Sequence, residues 1–223
     1  MAEFFMNDFI VYIDAVIYTW VDNIRVLGGP VLDSIMTFIT HLGDTPGIIW
    51  FVIGICLLIP RKTRKLGVFL FAGLAFAGLI NNVVLKDLIQ RERPFLLWEK
   101  YSDVWLRAGY TYEWPDLIEK PKPTSWSFPS GHTSSSIGAA FALFLGCCKK
   151  GERKYLGIGI PSLIIAFLIG FSRIYVHVHF PTDVIAGAVV GLVTGFIAFL
   201  LIDKLFMKKA VPALEKKFDK KLF

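Results

Sequence analysis

Charge is scarce in this 223-residue chain: Asp, Glu, Lys and Arg make up 19% of it, below the roughly 25% usual in soluble domains. Cysteine is scarcer still, with only Cys56, Cys147 and Cys148. The count is odd and no Cys-x-x-Cys spacing occurs, which excludes a disulfide framework and a cysteine zinc site. All three are expected to be small buried apolar residues. No low-complexity linker, composition break or internal repeat divides the chain, so a single domain is expected. The net charge of +6 sits largely in the C-terminal segment and two short turns. That placement reports membrane topology and anionic lipid, not nucleic acid.

What is abundant is apolar. Hydrophobic residues make up 55% of the chain and the mean hydropathy is +0.58. Long apolar runs separated by short basic clusters read as an all-α, polytopic transmembrane helical bundle of five to six spans. Five segments can cross a bilayer or nearly so: 45–60, 65–85, 133–148, 155–171 and 184–206. Gly and Ala recur within them, as at 73–78 and 187–191, so helix backbones can approach closely. Residues 5–27 are apolar too, but Asp8, Asp14, Asp22 and Arg25 are costly at a bilayer centre. Phe9, Ile13, Val16, Ile17, Trp20, Ile24 and Leu27 share one helical face and those charges the other. An amphipathic helix in the membrane interface is expected there, with a sixth span as the alternative, and a second short helix over 30–43. The chain thus divides into N-terminal helices (1–43), a membrane-embedded core (44–206) and a basic tail (207–223).

The basic segments 61–65, 149–154 and the tail alternate along the chain so as to share one side of a membrane. Positive residues concentrate in short cytoplasmic segments, so that side is expected to be cytoplasmic. The long segment 87–133 and the turn 172–183 then lie outside.

Three polar stretches sit at those outer helix ends. The first runs from Lys86 to Arg93-Pro94, the second is Pro129-Ser130-Gly131-His132, and the third is Ser172-Arg173 followed by His179 and Asp183. Lys86, Arg93 and Arg173 can surround the oxygens of a phosphate, arginine through forked contacts and lysine as a point charge. Ser130 and Gly131 at a helix start can cradle an anion with exposed amides. Ser130 or Thr133 can equally serve as an N-terminal cap, and the two roles are compatible. His179 and Asp183 lie four positions apart, so Asp183 can accept from one imidazole nitrogen and leave the other free to attack phosphorus. The chain contains no carboxylate cluster of metal-ligand type, and neither a metal nor a cofactor is expected.

The ordered set resembles the tripartite signature of the type 2 phosphatidic acid phosphatase superfamily: Lys-x6-Arg-Pro, Pro-Ser-Gly-His and Ser-Arg-x5-His-x3-Asp. All three parts are matched residue for residue, over a core from about residue 65 to 205. The resemblance implies a membrane lipid phosphatase, usually of six transmembrane helices. It assigns His132 as general acid and His179 as a nucleophile forming a phosphohistidine. Compact size and an outward site look most like bacterial undecaprenyl-diphosphate phosphatases of the plasma (inner) membrane. Phosphatidylglycerophosphate or phosphatidate is the alternative substrate, and a phosphotransferase using the same site the alternative reaction. A transporter or structural bundle would leave a complete phosphate site without purpose. The expected partners are a lipid phosphate and the bilayer, and the oligomeric state is open.

Two histidines fall outside this scheme. His177 occupies a position where the family commonly has glycine; the spacings from Arg173 and to Asp183 select His179 instead, leaving His177 as a wall residue or a donor behind the site. His41 is expected to be interfacial. The segment 95–128 carries Trp98, Trp105, Trp114 and Trp126, which suit an interfacial aromatic belt or a lid over the site. The charge pattern gives a direct test of sidedness. A cysteine placed near Glu113 should react with a membrane-impermeant maleimide in intact cells, and one near Gly151 only after permeabilisation. Reversed labelling would turn the motifs to the cytoplasm.

Overall fold

Where water is absent, the backbone groups of an apolar run must be satisfied within the run itself, and a helix does so. The computed structural model, which describes residues 7–44, 47–110 and 124–218, is helical throughout, with no strand among those residues. In chain order the helices are α1 (Asp8–Leu42), α2 (Ile48–Leu58) and α3 (Arg64–Leu79), which passes through a π-helical turn into α4 (Lys86–Ile89). The short α5 (Pro94–Leu97) and α6 (Ser102–Arg107) follow, then α7 (Gly131–Cys148), α8 (Leu156–Tyr175) and α9 (Pro181–Leu201), with α10 (Val211–Phe218) beyond a second π-helical stretch. Among the described residues, three runs are long and apolar enough to cross a membrane: Arg64–Leu97, Arg153–Tyr175 and Pro181–Lys209; Ile48–Leu58 is a shorter apolar helix.

α7 is the central post, packed by α3, α8 and α9. Its small residues make this possible. A Cβ on Gly73 of α3 would lie 2.2 Å from the Gly138 carbonyl oxygen of α7. On α9, Gly187, Gly191 and Gly195 recur every fourth position, and Cβ atoms there would lie 2.6–2.7 Å from backbone oxygens of Ser130, Ser134 and Gly138. A stripe of small residues at this spacing lets two backbones meet. Large apolar side chains such as Phe167, Val189 and Val193 point outward, as a bundle surrounded by lipid requires.

The N-terminal segment overturns its expected orientation. α1 bends at Gly29, whose φ of 55° interrupts the helix ahead of Pro30, giving two arms. In the first arm Asp14 and Asp22 are buried, whereas Phe9, Trp20 and Leu27 are 70%, 72% and 89% exposed. Asp14 and Asp22 therefore turn into the protein, while Asp8 stays exposed. Asp14 pairs with Arg91 at 2.8 Å, and Asp22 accepts from Tyr110 at 2.6 Å. Partners on other segments offset part of the desolvation cost that argued against burying these charges.

The aromatic segment is likewise corrected. Trp105 and Tyr110 are 1% exposed and pack with Tyr18, Tyr175 and Phe180 in one core, so they are interior rather than belt or lid residues; Trp126 is 39% exposed. Tyr112, Glu113 and Trp114 lie outside the described residues. Of the cysteines, only Cys147 is buried, while Cys56 and Cys148 are exposed. An all-apolar helix gives no sequence cue to which of its faces meets lipid.

The two ends of the bundle differ in charge. Arg61, Lys62, Lys65, Lys149, Lys154 and Lys208 border one cavity at one end, where Lys65 pairs with Glu152 at 2.5 Å and Lys149 with Asp203. The three motifs gather at the other end. Replacing Gly73 with valine should force α3 from α7 and lower the melting temperature in detergent, at a cost of about 1–3 kcal/mol or more. Gly157→Ala, where a Cβ meets nothing within 4 Å, should leave melting unchanged.

Candidate active site

α8 ends at Tyr175, and the chain reverses through residues 176–180 before Pro181 opens α9. Asp183, in the first turn of α9, accepts from the Phe180 amide at 3.0 Å and so closes that helix start. Its other oxygen takes Arg91 Nη1 at 2.6 Å. Arg91 is fully buried, stacks 3.8 Å over the Phe180 ring and reaches Asp14 through Nη2. Asp14 in turn accepts from the Thr182 amide at 2.8 Å. The turn carrying His179 is thus fastened from both sides.

The expected direct bond from His179 to Asp183 is replaced by a bridge. Nδ1 lies 3.6 Å from Asp183 Oδ2, too far for a hydrogen bond, because that oxygen is occupied by the Ser127 hydroxyl at 2.5 Å. Ser127 Oγ stands 3.4 Å from Nδ1. Since Ser127 gives its proton to the carboxylate, it can only accept from His179, which puts the ring proton on Nδ1. Nε2 then presents its lone pair, 3.3 Å from Arg93 Nη1. Burial, reinforced by the Arg93 charge, holds the His179 imidazole well below its ordinary pKa, so the ring is neutral at neutral pH.

A cavity of about 600 Å³ is lined by Lys86, Arg93, Gly131, His132, Arg173 and His179. Arg93 donates to the Ser125 carbonyl at 2.8 Å and hydroxyl at 3.0 Å, and Lys86 to the same hydroxyl at 3.3 Å. Arg173 is anchored to Thr40 at 2.7 Å. Gly131 packs closely on α3's continuation: a Cβ there would stand 3.0 Å from Asn82 Oδ1 and 3.7 Å from Lys86 Nζ. His132 is half-buried, with Nε2 3.0 Å from Asp44 Oδ1.

Ser130 and Asp183 lie behind this wall. The Ser130 amide donates to the Asp183 carbonyl at 3.0 Å and its hydroxyl accepts from Thr133 at 2.9 Å; its side chain does not cap α7. His177 is also behind, with Nε2 3.3 Å from Asp22 and its ring stacked on Tyr18 at 4.5 Å. His41 contacts Asp44 at 2.8 Å, a polar pairing rather than a bland interfacial one. Sequence reasoning missed Asp14, Asp44, Arg91, Ser125 and Ser127. Arg91 and Ser127 lie beside motif residues, but nothing local marks Asp14 or Asp44. Among the described residues no three His, Cys, Asp or Glu side chains gather as a metal site requires.

Comparison with known proteins decides the family. The PAP2 superfamily model matches residues 66–207. This chain belongs to the PAP2 superfamily. An undecaprenyl-diphosphatase of Sulfolobus acidocaldarius is 31% identical over 172 residues, covering 77% of this chain and 70% of that one. An undecaprenyl-diphosphatase of Bacillus subtilis is 31% identical over 78% of this chain and 77% of its own length. A crystal structure of a transmembrane PAP2-type phosphatidylglycerolphosphate phosphatase from Bacillus subtilis superposes with a TM-score of 0.67 at 27% identity, covering 93% of each chain. The PAP2 protein described here is a membrane phosphatase, a phosphoric ester hydrolase of the lipid phosphatase class.

The two buried histidines give a clear test. His179→Ala should lower phosphate release on the order of 10³-fold or more. His177→Ala should keep measurable activity while losing about 1–3 kcal/mol of stability as Asp22 loses a partner. The reverse pattern would assign the chemistry to His177.

Proposed function

We propose that the chain hydrolyses phosphate from a lipid mono- or diphosphate, undecaprenyl diphosphate first among them, at the extracytoplasmic face of the plasma membrane. The observation that carries this reading is the two-ended cavity. Lys86, Arg93, Arg173, His132 and His179 gather at one end, and Trp50, Phe51, Phe71, Leu74 and Ala75 line the other. Such a site suits an amphiphile with an anionic head and an apolar stem.

In this reading His179 Nε2 attacks phosphorus in line with the lipid oxygen, forming a phosphohistidine. Lys86, Arg93 and Arg173 bind the equatorial oxygens and stabilise the charge developing in the transition state. His132 protonates the departing oxygen and then accepts a proton from the water that releases phosphate. Asp183, through Ser127, keeps the nucleophile's tautomer, and Ser130 and Gly131 shape the cradle. Residues 44–206 form the catalytic core of a five- to six-span bundle, 1–43 brace it, and the basic tail 207–223 faces the cytoplasm. Positive charge gathered at the end opposite the motifs supports this orientation. The likeness to a phosphatidylglycerolphosphate phosphatase supports that substrate as the alternative.

Phosphate release from a panel of purified lipid phosphates in detergent tests the reading. Activity should be highest on undecaprenyl diphosphate, survive excess EDTA, and fall with orthovanadate, which mimics the five-coordinate phosphorus. Loss of activity in chelator with recovery in Mg²⁺ would overturn the metal-free mechanism. Preference for phosphatidylglycerophosphate would overturn the substrate alone.

A further inference from the structure

Each of the two imidazoles in the cavity has a carboxylate behind it, and only one of those carboxylates belongs to the motifs. Behind His179 is Asp183; behind His132 is Asp44, on the turn that follows α1 and outside the 66–207 family match. Asp44 lines the cavity, with Oδ1 3.0 Å from His132 Nε2 and Oδ2 2.8 Å from His41 Nδ1. The turn is built for this approach. A Cβ on the preceding Gly43 would lie 2.7 Å from His132 Cδ2 and 2.8 Å from Ile169 Cγ2, so only a bare backbone brings Asp44 within reach. The same turn of α1 holds Arg173 through Thr40.

We propose that Asp44 is the positioning carboxylate of His132, fixing the tautomer with Nε2–H toward Asp44 so that Nδ1 is the atom exchanging protons with the reacting groups. The inference rests on His132 serving as the acid and base of the proposed function. As the His179 Nε2–phosphorus bond forms, the bond from phosphorus to the leaving oxygen breaks, and the proton on Nδ1 passes to that oxygen, which departs on the lipid alcohol from a monophosphate and on the lipid phosphate from a diphosphate. Water then attacks phosphorus, its proton passes to Nδ1, and the electron pair of the nitrogen–phosphorus bond returns to His179. Asp44 gains and loses no proton. The hydrogen bond from His132, joined by that from His41, outweighs partial burial and brings its carboxyl to about 2.

The charge balance explains why His132 needs this partner. It faces Lys86 from α4, Arg93 ahead of α5 and Arg173 from α8, with neutral His179 across the cavity. Burial and the Arg173 and Lys86 charges oppose a protonated imidazole, and a carboxylate at 3.0 Å favours it. Asp44 therefore keeps His132 protonated to a higher pH than the cations alone allow. Without it, the acid is lost as pH rises through a lower value.

The test measures kcat and KM against pH, in detergent, for a lipid alkyl phosphate and for nitrophenyl phosphate, whose leaving group departs without a proton. Asp44→Asn should lower kcat on the alkyl phosphate about 10-fold or more and move the alkaline limb down by about one pH unit. The kcat/KM for nitrophenyl phosphate, which reports phosphohistidine formation alone, should be largely spared, and Asp44→Glu should restore both limb and rate. Equal losses on the two substrates with an unmoved limb would overturn the proposal, leaving Asp44 a structural residue. His132→Ala is the parallel arm. Its defect should depend on the leaving group in the same way, and if it does not, the acid assignment of His132 itself fails.

Discussion

One buried guanidinium ties the catalytic end of this molecule together. Arg91 has no exposed surface and bridges Asp14 of α1 to Asp183 of α9. A charge so placed is tolerated only if its neighbours are charged and its hydrogen bonds are met. That requirement reaches across 168 residues of sequence, from Asp14 to the Thr182 amide that bonds the same carboxylate. It sets where α1 lies, because Asp14 must reach inward. It also sets the turn bearing His179, whose carbonyl accepts from Tyr18 of α1 at 2.8 Å. The backbone of His179 is thereby held by a helix that lies outside the family match.

The fold separates its functions along its length. Small residues on α3, α7 and α9 supply close backbone packing along the apolar middle, where lipid offers no hydrophobic gain for helix association. Polar groups concentrate at one end, where Lys86, Arg93, Ser127, Ser130, Arg173 and His179 are all buried. In a low-dielectric surround such groups interact strongly when paired and are costly when not. Hydroxyls answer much of this need. Ser125 accepts from two cations and Ser127 relays Asp183 to His179.

The motifs were legible because each is local. Arg93-Pro94, Ser130-Gly131-His132 and the His179-to-Asp183 spacing carry their chemistry within a few residues, and the structure brings them to one end. The helical class was legible from apolar runs, since a long run in lipid has few other options. The face of α1 was not. Its periodicity separates apolar from charged residues but does not say which side is protein, and Arg91 and Tyr110, the partners that decide this, are far away in sequence. Ser127 was hidden for a similar reason. A four-residue spacing suggests that Asp183 meets His179 directly, and only the packed turn reveals a hydroxyl between them. Trp105 illustrates the converse, since tryptophan near a membrane surface suggests an anchor until its neighbours are known.

The charges of the site also explain what it is prepared to receive. Lys86, Arg91, Arg93 and Arg173 stand against Asp14, Asp44 and Asp183, with His179 neutral. Four cations against three carboxylates leave one positive charge. The carboxylates are not spread evenly. Asp14 and Asp183 neutralise Arg91 behind the wall, and Asp44 stands beside His132 at the side of the cavity. Lys86, Arg93 and Arg173 line the cavity itself, and their positive charge suits the oxygens of a phosphate group. Burial, reinforced by the Arg93 charge, keeps the His179 imidazole at the same cavity unprotonated.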